Sequence, residues 1–180
     1  MARFLQILVL LAGCSMVPGA TLERLSLEEM SASSTSIVRA RATAASAVMV
    51  GSTIYTRTRF QVLERWKGPE ESWVDVYQPG GSLGPVSQSY SGVPRFSSGQ
   101  ELVLFLWTGP SGRTQVMGLS QGVFEVVRSS AGDPEARRLP LREVILEPGS
   151  GRPAAEETAA MPLGALAWRV RIALQTGGRR

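Results

Sequence analysis

The segment Leu102-Val103-Leu104-Phe105-Leu106-Trp107 constrains the fold most. Successive side chains of a strand point to opposite faces, so a strand with one wet face alternates apolar and polar residues. This run does not alternate. It reads as a strand buried on both faces, and therefore as the central strand of a sheet with cover on each side.

The segments around it supply such a sheet. Ile37 to Ala45 alternates, with Val38, Ala40, Ala42 and Ala44 opposite Arg39, Arg41 and Thr43. Period two with charges on one side predicts a half-buried strand. Gly51-Ser52 marks a turn, and Thr53 to Glu64 alternates again, with Ile54, Thr56, Thr58, Phe60 and Val62 on one side. Lys67-Gly68-Pro69 is a turn, and Trp73 to Tyr77 is a third strand with Val74 and Val76 inward. Residues 79–99 are rich in Gly, Ser and Pro and read as a long loop with a short strand at Val86 to Ser91. After Gly109-Pro110-Ser111-Gly112, two more strands are expected at Thr114 to Leu119 and Val123 to Val127, joined by Ser120-Gln121-Gly122.

Helical signals sit at the two ends of this array. Thr21 to Ser34 reads as a short opening helix, with Ser26 and Glu29 in the spacing of a capping box. Leu163, Leu166, Ala167, Val170 and Leu174 share one face at helical spacing, so a C-terminal amphipathic helix is expected within 161–180. Between them, 129–160 loses its aromatics and fills with Pro, Gly, Ala, Arg and Glu. It is expected to be a poorly ordered linker, interrupted by Val144-Ile145-Leu146 as an edge strand or a turn of helix. The expected fold is mainly β: a small antiparallel OB-like barrel over 21–128, with a β-sandwich as the alternative. A barrel removes the sheet edges that invite aggregation.

The first twenty residues read as an export signal. Arg3 is their only charge, and Phe4 to Ala12 is apolar apart from Gln6, too short to span a bilayer. Two cleavage readings stand side by side. Leu11-Ala12-Gly13-Cys14 resembles the lipobox of bacterial lipoproteins, in which Cys14 would carry the lipid. Ordinary cleavage near Gly19 or Ala20 would discard it. Cys14 is the only cysteine, so no intramolecular disulfide can form. The expected location is periplasmic or secreted, or membrane-anchored if Cys14 is lipidated.

Composition excludes several chemistries. There is no histidine, which removes the commonest general base and metal ligand. A Ser-His-Asp triad cannot be built within this chain. Lys67 is the only lysine and sits in a turn. The doublets Glu28-Glu29, Glu70-Glu71 and Glu156-Glu157 diverge as adjacent residues do, whereas hydrolysis by carboxylates needs a facing, environment-tuned pair. No enzymatic activity, cofactor or metal is expected. The formal net charge of +4 comes from arginines scattered along the chain rather than clustered among stacking aromatics, so nucleic acid is not an expected partner. Trp66, Trp73 and Trp107 are read first as packing residues, with Trp73 and Tyr77 on an outer face where an aromatic patch can form.

Several segments carry a resemblance. Ile37-Val38-Arg39-Ala40-Arg41-Ala42, Tyr55 to Trp66-Lys67-Gly68, Gly92-Val93-Pro94-Arg95-Phe96 with Gly99-Gln100-Glu101 and the following apolar run, and Gly118 to Phe124 are similar to exported bacterial proteins of unassigned function. Their order also resembles the netrin-like domain of tissue metalloproteinase inhibitors, which implies an OB-type barrel and a binding role. Those inhibitors act through an N-terminal cysteine and disulfides. The body of this chain has no cysteine, so the resemblance carries over no functional residue.

The function expected on these grounds is that of an exported, non-enzymatic binding or accessory domain with an unidentified partner, a secreted protein or a protease. The alternative is a structural lipoprotein of the cell envelope anchored through Cys14. Long loops on rigid scaffolds often carry binding, which makes Tyr90, Arg95 and Phe96 in the 79–99 loop the candidate site residues.

Overall fold

The computed structural model describes residues 21–128, 132–139, 144–154 and 160–177. The proposed signal peptide and Cys14 lie outside the described residues. In chain order the elements are β1 (Thr21–Glu23), α1 (Leu27–Ser33), β2 (Ser36–Val50), β3 (Thr53–Lys67), β4 (Trp73–Pro79), β5 (Gly81–Leu83) and β6 (Val86–Gln88). Then come β7 (Glu101–Thr108), β8 (Thr114–Val116), a 3-10 turn at Leu119–Gly122, β9 (Val123–Arg128), β10 (Pro134–Arg138), β11 (Val144–Leu146), β12 (Ala160–Pro162) and α2 (Leu163–Gly177). The protein is mainly β.

One eight-stranded sheet runs β12-β10-β9-β7-β2-β3-β4-β8. Its centre is the apolar run. Strand β7 pairs with β2 from Ser36↔Leu106 to Arg41↔Glu101, with β9 at 102–104, and with β8 at 106–108. Leu102 through Leu106 are all fully buried. Their side chains divide by parity: Leu102, Leu104 and Leu106 join Val38, Ala40, Phe60 and Val76 in one apolar cluster. Val103 and Phe105 join Met30, Phe124, Leu166 and Val170 in the other. The first cluster fills the curl of the sheet. The second lies between the sheet and the two helices. The lack of alternation in β7 therefore has a plain cause, because each parity has its own core. The sheet curls until β8 meets β4, but that contact is the single parallel pair Val76↔Thr114.

Helix α1 begins where the capping-box spacing placed it. The Glu29 N–H donates to Ser26 Oγ at 3.1 Å, and the Ser26 N–H donates to Glu29 Oε2 at 2.8 Å. The expected helix over Thr21 to Ser34 is shorter than read. Residues 21–23 instead form β1, parallel to β11 through Leu22↔Ile145. The buried Gln121 holds this segment down, accepting from the Leu25 N–H at 2.8 Å and donating to Glu23 O at 2.9 Å. Gln121 belongs to the 3-10 turn that replaces the simple turn expected at 120–122.

The stretch 129–160, expected to be a poorly ordered linker, contributes β10, β11 and the start of β12. Strand β10 pairs with β9 from Pro134↔Arg128 to Arg138↔Phe124, and buries Ala136 completely. Its composition is poor in apolar residues, but β9 offers a free edge whose backbone groups accept any sequence. Helix α2 packs on α1 and buries Leu163, Leu166 and Val170 in the cluster shared with β7 and β9, and Ala173 is buried as well. Leu174 packs beside them, half-buried. The C-terminal helix is thus part of the main domain.

Candidate functional site

The loop after β4 builds the one site where the three candidate residues meet. Pro79 ends β4, and Gly80 and Gly81 follow at φ values of 101° and 137°. That region favours glycine. The Gly80 N–H donates to Ile54 O at 2.7 Å, and Thr56 Oγ1 donates to Gly80 O at 2.8 Å. A Cβ on Gly81 would lie 2.8 Å from Thr56 Oγ1, so the close approach of this turn to β3 also requires glycine.

Strands β5 and β6 then form a small hairpin. Gln88 ties it back to the β2–β3 turn. Its Oε1 accepts from the Ile54 N–H at 2.7 Å and its Nε2 donates to Ser52 O at 2.9 Å. Further on, Gln78 Nε2 donates to Pro94 O, and Phe96 stands edge-on to Phe60 with ring centroids 5.1 Å apart. The Gly99 N–H donates to Ala42 O at 2.8 Å, and the Ala42 N–H to Gln100 O at 2.9 Å, which returns the chain to the sheet. A loop tied at its ends and middle arches over β3 and β4. It leaves a cleft of about 300 Å³ beneath it.

Tyr90, Arg95 and Phe96 all line this cleft, with Thr56, Thr58, Gln78, Gln88 and serines 82, 87 and 89. Their roles differ. Phe96 is half-buried and anchors the loop on Phe60. Tyr90 is 46% exposed at the rim, and Arg95 is exposed. Arg95 is the only charged group among the described lining residues, and no carboxylate of the described residues pairs with it. At the bottom, Thr58 is 3% exposed, yet its hydroxyl has no hydrogen-bond partner among the described residues. Sequence reading missed Thr58, Thr56 and Gln78 as site residues. On β3 and β4 they look like ordinary strand positions, and the only hint was a hydroxyl or amide on the inward parity of each strand.

The lining contains hydroxyls, amides, one phenol and one guanidinium. It offers hydrogen-bond donors and one positive charge, and it suits a ligand group with negative charge and several acceptor lone pairs. Among the described residues, no three His, Cys, Asp or Glu side chains gather in a way that could hold a metal ion. No described helix is long and apolar enough to cross a membrane.

The tryptophans lie elsewhere. Trp66 is half-buried against the cluster beneath the helices. Trp73 is 43% exposed on the outer face of β4, with the Arg59 guanidinium 5.4 Å from its ring centroid. Tyr77, four residues on and half-buried, occupies the same parity as Trp73. Trp107 is also largely exposed. No family model matches the chain, and neither the curated proteins nor the solved structures compared with it include a match.

Proposed function

We propose that this chain is an exported, non-enzymatic binding domain on an OB-like barrel, and that the cleft under the 80–96 loop receives a carboxylate of its partner. One observation carries the reading: the Arg95 guanidinium and the Thr58 hydroxyl, neither with a partner among the described residues, line the same small cleft as the exposed Tyr90 ring. A guanidinium binds a carboxylate through two parallel N–H···O bonds, and a hydroxyl that faces the cleft can donate to an acceptor that enters it. The barrel reading rests on pairing order. Strands β2, β3, β4, β8 and β7 neighbour one another in that sequence, β7 returns to β2, and the β4–β8 step is the parallel one. A five-stranded, partly open barrel has this arrangement. Export rests on the charged start and short apolar run of residues 1–20.

The test is a titration of ¹⁵N-labelled protein with acetate and with a short acidic peptide. Amide shifts are expected at Thr58, Tyr90 and Arg95. Arg95→Ala should weaken peptide binding about tenfold, the loss of one charge-assisted contact. Thr58→Val, nearly isosteric, should weaken it less. Shifts elsewhere, or an Arg95→Ala variant that binds as tightly as the parent, would overturn the assignment.

A further inference from the structure

Strand β2 is fifteen residues long, and its two halves have different surroundings. From Ser36 to Arg41 it lies between β7 and β3. From Ala44 to Val50 it pairs with β3 alone, as one side of a long hairpin ribbon closed by Gly51 and Ser52. The direction of its peptide groups follows from the neighbouring strand. Ile54 donates its N–H to Gln88 and accepts from Gly80, so its peptide groups point away from β2. Its partner Met49 therefore turns its own groups away from β3. With period two, Ala45, Ala47 and Met49 all direct N–H and C=O into the open edge. No hydrogen bond to these groups from described residues is present.

Such edges are normally blocked by charge, proline or a bulge. The opposite end of the sheet is blocked in this way, since β12 is three residues long and ends on Pro162. The sequence from Ala42 to Ser52 has no charged residue and no proline. Its irregularity lies at the base, between Ala42 and Ala44, and leaves 44–50 regular. Ala44, Ala45, Ser46 and Met49 are exposed.

We infer that this edge pairs antiparallel with the same edge of a second copy of the chain, about a two-fold axis at Ala47. The interface is independent of the cleft and goes beyond the function proposed above. The side chains decide for a second copy over a foreign strand. Ala, Ser and Val offer no pocket and no charge with which to select another sequence. In self-pairing, Ala47 meets Ala47 of the second copy and Ala45 meets its Met49, so no like charges face each other. The nearest charges, Arg57 and Arg59, lie on β3. Across the joined ribbons they are about 14 Å apart, three strand spacings, which exceeds the screening length of about 8 Å at physiological salt. About six ladder hydrogen bonds form, two at each outward-facing residue pair. The interface is small, so the dimer is a weak and concentration-dependent one.

Sedimentation equilibrium of the purified protein tests this. The mass should be that of a monomer near ~1 μM and should approach about twofold that value above ~100 μM, as a weak equilibrium requires. Ala47→Pro removes an outward N–H and no bond to β3, and Met49→Glu places a charge on the edge. Both are expected to stay monomeric at the high concentration with their unfolding midpoints retained. Hydrogen exchange gives a readout independent of the variants. In the parent protein, the Ala45, Ala47 and Met49 amides should slow as concentration rises, while those of Ser46 and Val48, already bonded to β3, should not. If Ala47→Pro fails to fold, Met49→Glu and the exchange pattern still decide. A monomer at every concentration, association that survives both substitutions, or edge amides indifferent to concentration would each overturn the inference.

Discussion

Ser26 shows how a local spacing becomes a measurable energy. Its hydroxyl caps the first turn of α1, and Glu29 answers its backbone N–H. The Ser26 backbone bond, followed by its hydroxyl, holds the Glu29 carboxyl below its ordinary value. A carboxylate with a depressed folded value stabilises the fold above its unfolded value, and that contribution is lost as pH falls through the folded one. Ser26→Ala should therefore cost about 1 kcal/mol in urea unfolding at neutral pH. The gap between it and the parent should narrow as pH drops below the ordinary carboxylate value of about 4.3. Glu29 is exposed, so the pH-dependent part should be small and should shrink further in salt. This cap was legible because a capping box is a three-residue spacing. Lys67 was not. Read as a turn residue, it donates from Nζ to the carbonyls of Ser31 at 2.8 Å and Ala32 at 2.9 Å, at the end of α1. Its partners lie more than thirty positions away, and no local pattern announces them.

At the scale of elements, the sheet depends on two helices that the alternation of its strands does not require. Helix α2 lies against α1, and Leu166 and Val170 enter the cluster that holds Phe105 and Phe124. The two helices are also joined at the surface by Arg169 and Glu28, 3.9 Å apart, an exposed pair of little energetic weight. The apolar face therefore carries the attachment. Leu166→Ala should destabilise the whole domain by about 2–5 kcal/mol, in one cooperative transition. A separate early loss of helical signal, with the sheet unaffected, would show α2 to be a loosely attached tail. The helical period of 163–174 was readable in isolation, but its docking site was not, because α1 and β9 meet it only in the folded chain. Strand β10 makes the same point from the other side. Pro134-Glu135-Ala136-Arg137-Arg138 has no strand signature, and it pairs because β9 has an edge to offer.

Over the whole molecule, β7 is the axis and the β4–β8 contact is the weak seam. One residue pair joins those two strands, whereas β7 pairs with three others. Local opening should begin at the seam. Amide exchange at Thr114–Val116 is therefore expected to be faster than at Leu102–Leu106, where only global unfolding exposes the backbone. Equal protection in the two strands would mean that the curl is closed more firmly than one pair implies. By itself, the sequence determined the mainly β class, the central place of the 102–107 run, the two long alternating strands and the cap of α1. Each is written in the spacing of side chains along a short stretch, and burial of apolar faces reads that spacing directly. Only the tertiary structure decided that Thr58 and Gln78 sit beneath Tyr90 and Arg95, that 134–138 joins the sheet, and that one half of β2 is covered while the other is open. Those outcomes are set by backbone hydrogen bonds between distant segments. Every residue but proline carries the same donor and acceptor, so pairing of this kind leaves no mark in the order of the side chains.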